Sequence, residues 1–255
     1  MFSFFRRKKS GPDVLQPVPQ NFGFLGADMH SHLVPGIDDG APDPETSVEM
    51  IRRLKELGFS KLITTPHIQR EFYDNDRDKV TTHFGRLQRF LADQRITMDM
   101  GVAAEYYLDS FFPQAVLPEG LLTLNGKLAL VEVSMAGWPR QIDDMIFSIQ
   151  GNGYQPVLAH PERYLFEDSI KVYEGWKQKG VLLQMNLLSL SGYYGRSVKA
   201  LANKYLDAGL YDFCGTDAHH LRHVDHLTRM TQQPELMRQL GDYQGWKNRS
   251  LLDGA

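Results

Sequence analysis

Asp28-Met29-His30-Ser31-His32 sets two imidazoles two residues apart, and Asp39 follows in Pro35-Gly36-Ile37-Asp38-Asp39-Gly40. On extended backbone, side chains two residues apart point to the same side, so His30 and His32 can offer nitrogens to one metal ion. The glycine and proline after the pair turn the chain and bring Asp39 back over the same spot. Asp28 is placed to fix an imidazole tautomer from behind, and Asp38, beside Asp39, should face away. Further ligand-type residues follow at His67, Glu105, Glu132, His160, Asp217 and His219. These five histidines and four carboxylates exceed the about four to six donors of a single ion and suit two or three ions with bridging carboxylates. Mixed nitrogen and oxygen donors favour Mn, Fe or Zn over Mg or Ca. Arg163 and Arg222 each stand three residues after a candidate histidine ligand. Guanidinium forks match phosphate oxygens, so cations flanked by arginines point to a phosphoester substrate.

Seven apolar, β-branched runs, at 24–29, 61–66, 97–104, 127–131, 156–159, 181–185 and 211–216, each end in a ligand-type residue, six of them in one of these candidates and 181–185 in Asn186. The spacings from His30 through His67, Glu105, Glu132, His160, Asn186 and Asp217 are 37, 38, 27, 28, 26 and 31 residues, about one strand–helix unit of ~30 residues each. Amphipathic patterns predict helices over 46–57, 80–94, 141–150, 169–179, 197–208 and 225–231. Alternating strands and helices imply a parallel sheet, and closure into a distorted seven-stranded (β/α)7 barrel would gather every strand end on one rim. An open doubly wound sheet would spread them along a line.

Hydrophobic residues at 42% and charged residues at 23% describe an ordinary soluble globular protein. A net charge of −3 argues against nucleic acid as partner. A lone cysteine, Cys214, rules out an internal disulfide and fits a reducing compartment, hence the cytoplasm. Cysteine-dependent phosphatases need arginine six positions after the nucleophile; here that position is His220, so Cys214 reads as a buried filler. His220, His223 and His226 read as surface or supporting residues. No apolar run approaches the roughly 20 residues of a membrane span. Met1-Phe2-Ser3-Phe4-Phe5-Arg6-Arg7-Lys8-Lys9 puts its charges after its apolar residues, the reverse of a signal peptide. Residues 1–22 therefore read as a basic tail and proline-bearing linker, and 23–255 as the folded domain.

At Asp28-Met29-His30-Ser31-His32, Pro35-Gly36-Ile37-Asp38-Asp39-Gly40, Thr65-Pro66-His67, Glu105, Glu132, His160-Pro161-Glu162-Arg163 and Thr216-Asp217-Ala218-His219, the chain resembles the polymerase-and-histidinol-phosphatase (PHP) superfamily. More closely, it resembles the manganese-dependent bacterial protein-tyrosine phosphatases of capsule and exopolysaccharide synthesis. The resemblance implies a three-metal site, Mn2+ with Fe, Zn or Mg as alternatives, held by His30, His32, Asp39, His67, Glu105, Glu132, His160, Asp217 and His219. It implies phosphate contacts from Arg163 and Arg222, the latter on a segment whose length departs from the family pattern. It also implies a phosphotyrosine protein as substrate, a bacterial tyrosine kinase of polysaccharide export.

Two rival expectations are a PHP phosphatase of a small metabolite such as histidinol phosphate, and a binding module that keeps metals for structure. A phosphoprotein site should be open and rimmed by aromatic residues, for which Tyr106, Tyr107, Phe111, Phe112, Trp138, Tyr164, Tyr193 and Tyr194 are candidates.

Overall fold

Among the described residues, every pair of neighbouring strands runs parallel. The computed structural model describes residues 17–253; the basic run at 6–9 lies outside the described residues. Strands β1 (Ala27–Asp28), β2 (Lys61–Thr64) and β4 (Asp99–Val102) form one sheet in the order β1-β2-β4. Strands β3 (His67–Ile68), β5 (Glu105–Tyr107), β6 (Leu128–Glu132), β7 (Gln155–Ala159), β8 (Leu182–Asn186) and β9 (Phe213–Gly215) form a second, ordered β3-β5-β6-β7-β8-β9.

The described residues thus hold nine strands in two sheets where the sequence pattern predicts seven. The cause is local. Pro66 has no N–H to give to a ladder, so one run is divided into β2 and β3, and its partner into β4 and β5. The register does not change across the break: Thr64 pairs with Val102 and His67 with Glu105, an offset of 38 in both. At the other end, Ser31 and Ala218 form a parallel bridge. The Asp217 N–H donates to the His30 carbonyl at 2.7 Å and the His32 N–H to the Ala218 carbonyl at 3.0 Å.

Alternation along the strands divides the apolar residues into two cores. Leu62, Val131, Leu158 and Met185 join the larger core beneath the helices. Ala27, Ile63, Leu130, Val157 and Phe213 form a smaller one on the opposite strand face, drawing on both sheets.

The helices are α1 (Pro44–Glu56), α2 (Arg77–Asp93), α3 (Ile142–Gly151), α4 (Ile170–Gln178), α5 (Leu187–Ser191), α6 (Arg196–Asp207), α7 (Leu221–Thr231) and α8 (Pro234–Asp242). Asp43 caps α1 by accepting from the Thr46 N–H at 2.7 Å, with Pro44 in the first turn and Val48, Ile51 and Leu54 buried; this is the ordinary start of an amphipathic helix. Helix α7 begins four residues before the expected 225 because the His220 side chain caps it, a residue type that carries no start signal. Helices α5 and α8 were not expected. The first is a single short turn capped by Asn186, and the second opens on Pro234 with Leu236, Met237 and Leu240 buried.

The N-terminal boundary is packed. Phe22, at the end of the expected linker, is fully buried and stacks on Phe59 at 5.8 Å.

Candidate metal centre

The chain positions His30 and His32 just past β1, and two glycines allow the close approaches around them. A Cβ at Gly215 would lie 2.6 Å from the His30 Cβ, and one at Gly40 would lie 2.3 Å from the His32 carbonyl oxygen. Only glycine fits at either point. Asp39 is brought back beside His32, its carboxylate grouped with that imidazole within 4.8 Å.

Both imidazoles are held from behind. The His30 Nδ1–H donates to Gln184 Oε1 at 3.0 Å, and the His32 Nδ1–H donates to Asp38 Oδ2 at 2.8 Å. This turns the two Nε2 atoms inward, 3.3 Å apart. Ligand histidines are oriented in this way by their second nitrogen.

Carboxylates close on the inward nitrogens. Glu105 Oε2 lies 3.1 Å from His30 Nε2, 3.4 Å from His32 Nε2 and 3.3 Å from His67 Nδ1. Asp217 Oδ1 lies 3.2 Å from His30 Nε2 and 3.5 Å from His219 Nδ1. Glu132 faces His67 Nδ1 at 3.1 Å, and Asp39 Oδ1 lies 3.5 Å from both His67 Nε2 and His219 Nε2. His160 Nε2 reaches Glu105 Oε1 at 3.2 Å. Three overlapping sets have donor atoms within 4.8 Å of one another: His32, Asp39, His67 and His219; His30, His32, Glu105 and Asp217; His67, Glu105 and Glu132. His160 stands beside the second and third sets through Glu105.

This donor set fits metal ions. Glu105 Oε2 and His67 Nδ1 are buried yet make no hydrogen bond, despite close approaches to opposite-type groups. Buried polar atoms left without a partner are rare, and here they point into the centre of the cluster. The ionisation pattern agrees. Burial alone would push the His30 imidazole down, but the Glu105 and Asp217 carboxylates outweigh it and lift it to about 10. His67 is likewise raised to about 10 against burial, chiefly by Glu105 and Glu132. Burial would raise Glu105 and Asp217, but His30 and its neighbours hold both well below the usual carboxylate range. So many acids in one dry pocket require positive charge, and protons on imidazoles supply it where cations would. The backbone is strained at two of these positions, with φ of +33° at His160 and +49° at Asp217. Non-glycine residues rarely adopt such values, and they cluster at functional sites.

Several supporting residues differ from expectation. Asp38 does not face away: its carboxylate serves His32 and accepts the His67 N–H at 3.1 Å. It lies in a tight turn, where strand alternation does not apply. Asp28 orients no imidazole; it accepts from the Thr216 N–H and hydroxyl at 2.9 and 2.7 Å, tying the last strand run to the first. Gln184 was missed, although a polar residue inside the apolar run Val181 to Met185 is a signal that something buried needs it. Asn186 is a clamp on Asp217, donating from Nδ2 to Oδ2 at 2.7 Å. His223 is buried against the Asp217 carbonyl at 3.2 Å.

The two arginines part company. Arg163 donates from Nη1 to Asp217 Oδ2 at 2.9 Å and lies at the cluster. Arg222 is exposed on the first turn of α7, where its charge, after burial, helps hold His220 below its usual range. The aromatic rim is thinner than expected. Tyr106, Phe112 and Tyr164 are buried, and the hydroxyls of Tyr106 and Tyr164 accept backbone N–H groups of Leu122 and Val133. Tyr107, Trp138, Tyr193 and Tyr194 are partly exposed and Phe111 is exposed. The buried Cys214 takes no part.

Fold and site together define an α/β protein of parallel sheets whose strand ends gather a nitrogen-and-oxygen cluster able to hold metal ions. An amidohydrolase from Mycoplasma synoviae shares the fold at TM-score 0.54 and 15% identity, over 87% of this chain and 84% of that one. More particularly, residues 26–240 match the family described as capsular polysaccharide synthesis, CpsB/CapC, and the chain belongs to it. The tyrosine-protein phosphatase YwqE of Bacillus subtilis is 31% identical over 198 residues, covering 76% of this chain and 78% of its own length. A solved structure from work on YwqE and on CpsB of Streptococcus pneumoniae, described as unique metal-dependent tyrosine phosphatases, superposes at TM-score 0.75. It is 28% identical and covers 88% of this chain and 90% of its own.

Proposed function

We propose that this chain is a metal-dependent protein-tyrosine phosphatase that acts on a phosphotyrosine protein of capsule or exopolysaccharide synthesis, a bacterial tyrosine kinase being the natural substrate. One observation carries the reading. The His30 and His32 Nε2 atoms face each other at 3.3 Å, with Glu105 and Asp217 oxygens within 3.6 Å of both. Such an arrangement is costly without cations and suited to them. The three overlapping donor sets support three ions, and the mixed donors support Mn2+, with Fe, Zn or Mg as alternatives. The nine ligands would be His30, His32, Asp39, His67, Glu105, Glu132, His160, Asp217 and His219. The bridge between Ser31 and Ala218 and the inner core shared by both sheets support closure of the seven runs into a distorted barrel. The single buried cysteine supports a reducing, cytoplasmic setting.

When bound, the cations supply Lewis acidity, bringing the pKa of water to about 7 and offsetting charge on the phosphoryl oxygens. Asp38 and Gln184 fix the imidazoles so that no reorganisation is needed during turnover. Arg163 keeps N–H donors beyond the one used on Asp217, and these can take phosphate oxygens. A water oxygen adds to phosphorus, the bond from phosphorus to the tyrosine oxygen breaks, and a proton passes to the departing oxygen. The phenol that leaves has a pKa of roughly 10, so it needs less acid help than an alkyl alcohol. Asp39, with its side chain 56% exposed, marks the open mouth through which a protein-borne phosphotyrosine would enter.

The test compares turnover of a phosphotyrosine peptide and of histidinol phosphate after chelation and after reloading with Mn2+. Peptide hydrolysis that disappears with the metal and returns with it is expected. Hydrolysis that persists in chelator, or a preference for histidinol phosphate, would overturn the proposal.

A further inference from the structure

We propose that Tyr194 is a positioning residue that holds the Arg163 guanidinium in place for the substrate phosphate; this rests on the phosphatase reading above. The Arg163 Cζ lies over the Tyr194 ring, 4.5 Å from its centroid. One edge of the same guanidinium is bound to Asp217 Oδ2 at 2.9 Å. A flexible side chain is thus fixed on one edge by a carboxylate and on one face by a ring, with its remaining donors available.

Tyr194 is itself built in. Asn186 Nδ2 donates to its hydroxyl at 3.2 Å and to Asp217 Oδ2 at 2.7 Å. The Asn186 Oδ1 accepts from the Leu188 N–H at 2.9 Å and caps α5. Tyr193 packs its ring edge-on against Tyr194 at 5.0 Å and against His223 at the same distance. One asparagine therefore locks the ring and the carboxylate that together hold the arginine. A second effect follows: with Oδ2 occupied by Arg163 and Asn186, Asp217 presents only Oδ1 to His30, His32 and His219.

Stacking on an aromatic face stabilises a guanidinium and restricts its rotation. The benefit should appear wherever phosphate is bound, in substrate and product alike. The prediction is a rise in KM and a weaker grip on inorganic phosphate, with metal content unchanged.

The experiment uses the metal-loaded full chain and four variants: Tyr194→Leu, Tyr194→Phe, Arg163→Ala and the double variant Tyr194→Leu/Arg163→Ala. Steady-state kinetics with a phosphotyrosine peptide are measured alongside calorimetric binding of inorganic phosphate and elemental metal analysis. Tyr194→Leu should raise KM and weaken phosphate binding about three- to tenfold, while Tyr194→Phe, which keeps the ring, stays within about twofold of the parent. In the Arg163→Ala background the leucine substitution should add nothing, because the platform has no cargo left to hold. The proposal is overturned if the two single effects multiply, if Tyr194→Phe is as damaging as Tyr194→Leu, or if Tyr194→Leu loses metal. A parent protein that binds phosphate but hydrolyses no phosphoester would overturn the phosphatase reading and leave the Tyr194 result to be judged on binding alone. A parent that does neither overturns both.

Discussion

The cluster has a floor and a mouth, and they are built differently. On the floor His30, Glu105 and Asp217 have side chains no more than 2% exposed. At the mouth Asp39 is 56% exposed, with His67 and His219 at 11% and 14%. A carboxylate without a counter-charge is costly in a dry site and nearly free in a wet one. The floor therefore depends on its charge balance for both metal retention and folding, whereas the mouth can exchange ligands with water and substrate. Glu105→Gln tests the difference at its largest. It removes a charge facing four imidazoles, those of His30, His32, His67 and His160, and kcat/KM should fall on the order of a hundred- to a thousandfold, with metal content reduced. Asp39→Asn should cost on the order of tenfold and leave most of the metal in place. If Asp39→Asn is the more damaging of the two by activity and elemental analysis, the ranking of floor and mouth is reversed.

The comparison sharpens within the floor, because the two histidines of one motif have different supports. His32 leans on the carboxylate of Asp38 and His30 on the neutral amide of Gln184. An anionic partner makes an imidazole a stronger donor. Asp38→Asn should weaken metal affinity roughly tenfold to a hundredfold. Gln184→Leu should do comparable harm by freeing the His30 ring, while Gln184→Glu should tighten metal binding. Competition with a chelator of known affinity reads all three. A Gln184→Glu variant that binds metal more weakly than its parent would sink the idea that the partner's charge sets donor strength.

These supports also show how far the sequence could be read. Eight of the nine candidate ligands stand at or just past the end of an apolar run in the sequence, with Asp39 delivered by a turn, and that regularity is visible because each apolar run stops at a residue out of keeping with it. The parallel α/β class was legible for the same reason. What was not legible depends on turns and long-range packing. Asp38 was expected to face away because alternation was extended from a strand into a turn. Pro66 divided two strands without changing their register, which no periodicity reveals. Helix α7 starts on a histidine cap, which carries no start signal, and α5 is only five residues long, too short to leave an amphipathic pattern. Arg163 and Arg222 looked equivalent by spacing, yet Arg163 is tied to Asp217 while Arg222 lies exposed on the first turn of α7.

A smaller effect separates metal-free from metal-loaded protein. His30 and His67 are raised to about 10 by the acids around them, above the ordinary value of about 6.5. The metal-free fold therefore holds protons that the unfolded chain releases. That stabilisation is complete below about pH 6.5 and is lost as pH climbs through about 10. Thermal melts of chelated protein should show Tm falling by on the order of 5 °C or more across this range. Metal-loaded protein, whose acids are balanced by cations, should change much less between pH 7 and 9. Parallel curves for the two forms would mean that the cluster does not need positive charge.

The smallest expected effect lies just behind the floor. Cys214 is buried in β9, two residues before Thr216 and three before Asp217, and its backbone N–H donates to Asn248 Oδ1 at 3.1 Å. Burial, with the Asp28 charge nearby, pushes the thiol well above its usual range. A thiol without thiolate character is neither a nucleophile nor an alkylation target. Iodoacetamide should leave turnover of a phosphotyrosine peptide unchanged, and Cys214→Ser should keep activity within about twofold, its cost confined to packing. Rapid inactivation by the reagent, with the metal still in place, would move the chemistry from the cluster to the sulfur. The floor would then be a structural support, and the contrast with the mouth would lose its meaning.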